Sequence, residues 1–125
     1  MAMKKFVLVM LSLSLITACG KANRVLFCEG VSSAGDGERC GSKFETGDLT
    51  ALVESEAPFE ADSIDVAVYQ VNGPLEEKVD TVKAATKPDE KKKAVTLSFY
   101  QPGKFRVKAE KGKDVIAQGE LEIVE

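Results

Sequence analysis

Acid–base and nucleophilic chemistry at neutral pH is run mostly by histidine, thiols and carboxylates. This chain of 125 residues has no histidine and no tryptophan, but three cysteines and 20 acidic residues. Without imidazole a serine nucleophile lacks its usual base, so a Ser–His–Asp arrangement is excluded. The carboxylates remain. Glu54, Glu56, Glu60 and Asp62 crowd around Pro58, and two carboxylates can in principle cleave a glycosidic bond. Nothing around them marks a cleft, so they read as a solvated acidic rim, with weak calcium binding by the same oxygens as the alternative. Asp36-Gly37-Glu38 is a lesser calcium candidate and mainly a turn. This inventory predicts no enzyme and no cofactor.

The densest cationic run is Lys91-Lys92-Lys93, directly after Asp89-Glu90. It reads as a solubilising loop or as a patch that steers the chain toward an acidic lipid or polymer. Glu56, Glu60, Asp62 and the three lysines are therefore the candidate binding loops. Tyr69 and Tyr100 are either strand-face packing or an exposed aromatic contact. With 17 basic against 20 acidic residues, the chain lacks the basic face of a nucleic-acid binder.

Before any of these residues comes a segment that decides where they work. Lys4 and Lys5 precede an apolar run from Phe6 to Ala18, the build of a secretory signal. As a helix the run would reach roughly 20 Å, short of the ~30 Å hydrocarbon core. It closes on Ile16-Thr17-Ala18-Cys19, which resembles the lipobox of bacterial lipoproteins. That resemblance covers the first twenty or so residues. It implies removal of residues 1–18 by a signal peptidase II type cleavage, diacylation of Cys19, and a lipid anchor, with residues 19–23 as tether and 24–125 as domain. Gly20 follows the cysteine where many inner-membrane lipoproteins carry aspartate, so in a Gram-negative source the resemblance points to the outer membrane. With Cys19 given to lipid, Cys28 and Cys40 remain as an even pair in an oxidising compartment and are expected to bond to each other. A reactive or metal-binding pair is the alternative.

The elements that position these residues follow from hydrophobic period. Arg24–Cys28 reads as a strand, and Glu29–Gly47, dense in glycine and serine, as a loop without regular structure. Alternation over Asp48–Ser55 puts Leu49, Ala51 and Val53 on one side and Leu52 on the other. Ser63–Val71 turns Ile64, Val66 and Val68 inward and reads as a central strand. Glu76–Ala85 reads as a charged edge strand. Ala94–Tyr100 and Lys104–Glu110 follow, the second turning Phe105, Val107 and Ala109 inward. Asp114–Glu125 places Val115, Ala117, Gly119, Leu121 and Ile123 on one face.

Seven short strands separated by turns are the requirement of an immunoglobulin-like β-sandwich; a small open barrel is the competing architecture. The run Pro102-Gly103-Lys104-Phe105-Arg106-Val107 is similar to the turn entering the penultimate strand of many bacterial immunoglobulin-like domains, with Phe105 where many have tyrosine. The expected function is a non-catalytic protein-binding or adhesion module at the bacterial envelope, using loops or a strand edge. An accessory subunit of an envelope assembly is the alternative.

Overall fold

Wherever the sequence alternates with a period of two, the chain forms strand. The computed structural model describes residues 23–125, so the signal, Cys19 and the tether up to Ala22 lie outside the described residues. Nine strands follow one another: β1 (Arg24–Val31), β2 (Gly37–Gly41), β3 (Lys43–Glu45), β4 (Gly47–Glu54), β5 (Ser63–Asn72), β6 (Leu75–Ala85), β7 (Lys92–Phe99), β8 (Gly103–Lys111) and β9 (Asp114–Val124). They build two sheets in the orders β2-β1-β4-β7 and β3-β9-β8-β5-β6. All neighbours are antiparallel except β3 and β9, which run parallel.

The sheets pack face to face around one core, with β5 central and β6 at an edge as the pattern predicts. Leu49, Ala51 and Val53 of β4 meet Ile64, Val66 and Val68 of β5 and Phe105, Val107 and Ala109 of β8 in that core. Each large aliphatic or aromatic side chain so buried contributes about 1.5–3 kcal/mol. Phe99 and Phe105 meet edge to face at 5.0 Å, so the ring at position 105 keeps its packing role. Among the described residues the core runs from Val25 to Ile123. The layers approach closely where β9 meets β1. A Cβ on Gly119 would sit 2.3 Å from the Val25 carbonyl oxygen and 3.1 Å from the Phe27 ring, so only glycine fits there.

Three expectations need correction. Glu29–Gly47 is not irregular: it contains the end of β1, all of β2 and β3, and a turn confined to Ser32–Asp36. Turn residues mark a bend, but the Cys28–Cys40 disulfide joins residues directly opposite each other and fixes a hairpin around it. Seven strands therefore become nine. Val115 leaves the core face and is 48% exposed, because a bulge between Ala109 and Glu110 sets it opposite Glu110 and turns Ile116 toward the core.

The β1–β2 hairpin does not continue flat. Along β4 the ladder sets Glu54 opposite both Arg24 and Lys92 at one end, and Val31 opposite Gly37 beyond the other. Seven residues of strand, roughly 20 Å, separate these levels. Yet Asp36, at the hairpin tip, lies 3.9 Å from the Lys92 ammonium. The hairpin must double back over the outer face of the four-stranded sheet. Arg39, in left-handed backbone at φ 53°, and the disulfide mark the fold line. Leu52, expected to point outward, does so and is still only 2% exposed.

Candidate functional site

The candidate binding loops come together. Residues 55–62 and 86–91 bond to each other through backbone: Ser55 N to Lys91 O, Phe59 N to Glu90 O, Glu60 N to Pro88 O and Thr86 N to Asp62 O, each at 2.8 Å. Phe59, not singled out by the sequence pattern, is buried in the core between them and anchors the pair. Lys111 Nζ donates to its carbonyl at 3.2 Å. Glu56, Glu60, Asp62 and Lys91 consequently ride exposed on a rigid frame. Lys92 and Lys93 belong to β7, where Lys92 and Arg24 flank Glu54 at 3.6 and 2.8 Å. The acidic side chains do not converge: among the described residues no three of His, Cys, Asp or Glu gather as a metal site.

These loops lie where the chain comes in. Glu56 N donates to the Asn23 side chain at 2.7 Å, so the domain start, both loops and the Gly112-Lys113 turn share one end of the molecule, called proximal below.

A second polar arrangement covers the outer face of the five-stranded sheet. Register sets Glu120, Arg106, Tyr69 and Lys78 in one row across β9, β8, β5 and β6. Arg106 bonds Glu120 at 2.6 and 2.8 Å and also grips Glu76, which takes Lys108 Nζ at 2.7 Å. The Lys108 ammonium stands 4.6 Å from the Tyr69 ring centre and that of Lys78 5.6 Å, while the tyrosine hydroxyl donates to Glu110 at 3.1 Å. Lys108 first, then Arg106, hold the Glu76 carboxyl below its ordinary range. Glu120 and Glu76 raise Arg106. Tyr69 is thus strand-face packing. The outward row Lys104, Arg106, Lys108 and Glu110 is readable from alternation, whereas its pairing with Glu76 depends on a register that no local pattern encodes.

The third feature lies at the distal end. Between β6 and the end of β7 a cleft of about 290 Å³ is lined by Val68, Gln70, Val79, Phe99, Tyr100 and Phe105 among others. Tyr100 is 85% exposed and Val79 48%, and Leu75, farther along β6, is 72% exposed. Among the described residues, three of the four large exposed apolar side chains therefore gather on β6 and the β7–β8 turn, away from the domain start. The volume is at the low end for a small-molecule pocket, and suits a side chain or a strand better than a cofactor.

What the fold defines is a class, a sandwich-like all-β protein whose exposed apolar surface collects toward one end. Compared with known proteins, the chain matches no protein-family model and no curated protein sequence.

Proposed function

We propose that this is a lipid-anchored, non-enzymatic protein-binding or adhesion module of the bacterial envelope, with an immunoglobulin-like sandwich as its folded part. Strand order supports the immunoglobulin-like type. β1-β4-β7 and β3-β9-β8-β5-β6 correspond to orders A-B-E and A′-G-F-C-C′, with the first strand divided between the sheets and β2 added as a hairpin. The anchor rests on the lipobox resemblance at Cys19, and Gly20 in place of an aspartate supports the outer membrane in a Gram-negative source.

One observation carries the binding reading: the polarity of the molecule. Asn23 binds the loop at the proximal end, whereas the cleft, Tyr100 and Leu75 lie toward the other end. A module held at its start by a tether of a few residues presents its distal end outward, and apolar side chains left exposed there are a contact surface. The experiment is a pair of variants. Cys19→Ser should lose labelled palmitate and move to the soluble fraction. Leu75→Lys with Tyr100→Ser should keep the anchor and the fold while losing capture of the envelope or host component that the parent retains. Palmitate on the serine variant, or undiminished capture by the second, would sink the reading.

A further inference from the structure

Among the described residues each sheet has two edges, and three of the four are guarded. β2 is five residues long, carries Glu38 and Arg39, and is interrupted at Arg39 by left-handed backbone. β3 is three residues long, two of them charged. β6 is bulged opposite Val68/Tyr69, carries Glu76, Glu77, Lys78 and Lys83, and sets Asp80 opposite Val68, a core residue, as an inward-turned charge. Short length, bulges and charges are the devices by which proteins stop a sheet from continuing into another chain.

β7 is guarded only at its start, by Lys92 and Lys93. Its ladder with β4 runs without a shift from Lys92 to Phe99, and Ala94-Val95-Thr96-Leu97-Ser98-Phe99-Tyr100 is seven residues without a charge, a proline or a glycine. Ala94, Thr96, Ser98 and Tyr100 are exposed. Such a segment at a free edge is a pairing site.

We infer that β7 is a docking edge for β7 of a second copy of this chain, in antiparallel register about a two-fold axis through Thr96. The charges select that arrangement. Lysines stand at one end of the edge only, and among the described residues Lys91 and Lys93 make no ion pair. Parallel pairing would stack the two lysine runs on each other. Antiparallel pairing sends each run to the other copy's opposite end, where Ser98 donates to Asp48 at 2.6 Å and Tyr100 offers its ring. With Thr96 opposite Thr96, Ala94 meets Ser98, and Lys92 comes opposite Tyr100. Val95 meets Leu97 on the inner side. The two domain starts then lie at opposite ends of the pair. Combined with the anchor proposed above, on which this consequence alone rests, the contact joins copies carried on facing surfaces.

The chain from Asn23 onward, which carries all nine strands and the core residues of the described part, is the material to test. Sedimentation at hundreds of micromolar should show a dimer, and Thr96→Lys, which puts two cations on the axis, should be a monomer at the same concentration. Thr96→Cys should form an interchain disulfide under a glutathione redox buffer, since opposite Cα atoms in an antiparallel pair are within bridging distance. Thr81→Cys, exposed on the guarded β6 edge, should not. A monomer throughout, as expected if the edge serves a strand of some other protein, overturns the inference. So does a dimer indifferent to Thr96→Lys, or equal crosslinking at positions 81 and 96. None of these outcomes depends on whether Cys19 carries lipid.

Discussion

Glu76 sits where three charges are shared between two strands, and its carboxyl is held below its ordinary value, by Lys108 first and then by Arg106. A carboxyl depressed in the folded state stabilises the fold above its unfolded value, and that contribution disappears as pH falls through the folded value. Glu76→Gln should therefore lower stability at neutral pH, and the gap to the parent should close on acidification. Urea unfolding at a series of pH values checks this; a gap constant with pH would mean that the ion pairs contribute nothing, as many exposed ones do. A second single-residue test concerns shape. Ala at Gly119 would drive a methyl into the Val25 carbonyl, an obstacle that cannot rotate away. Overpacking of this kind costs about 1–3 kcal/mol, and at ~4–8 °C per kcal/mol for a domain of this size it should be plain in a thermal melt. An unchanged melting temperature would show that β1 and β9 can separate freely.

The β1–β2 hairpin stands or falls as an element with its disulfide. Gly37 lies so close to it that a Cβ there would meet Cys40 Sγ at 2.5 Å and Cys28 Sγ at 2.6 Å, so the folded-back arm packs on the bridge itself. Replacing both cysteines with serine should cost about 3 kcal/mol in the chain-entropy model and release residues 29–38 from the outer face. Hydrogen exchange should then speed up there and at Leu52 while β5 and β8 keep their protection. Equal protection with and without the bridge would show that side-chain contacts alone hold the arm. The sequence showed which residues alternate, and hence β4, β5, β7, β8, the edge character of β6 and the bonded cysteines. It could not show the arm. Gly30, Ser32, Ser33, Gly35 and Gly37 are what a turn needs, but folding back is imposed by a covalent bond and by Lys92, distant in sequence. Nor could it show the bulge that expels Val115, since one extra residue in a ladder leaves the local alternation unchanged.

At the scale of the whole molecule, topology turns scattered candidates into two ends with different surroundings. Glu56, Glu60, Asp62 and Lys91 were legible as exposed and charged, but which way they face is fixed by where Asn23 attaches and by β5 running away from that point. From Ser63 to Asn72 the strand climbs about 30 Å, so the loops at its foot and the β5–β6 turn at its head occupy different environments on any surface that holds the chain by its start. With the lipid anchor proposed at Cys19, this arrangement would make the candidate binding loops the part nearest the membrane and leave the cleft and Tyr100 for partner contact. The consequence can be measured on the acylated full chain in vesicles carrying a headgroup quencher. A dye attached through Asp62→Cys should be quenched strongly, and one attached through Asn72→Cys weakly. Equal quenching at both positions would mean that the domain lies flat or that its start is not the point of attachment. Reversed quenching would put the cleft, rather than the charged loops, against the lipid.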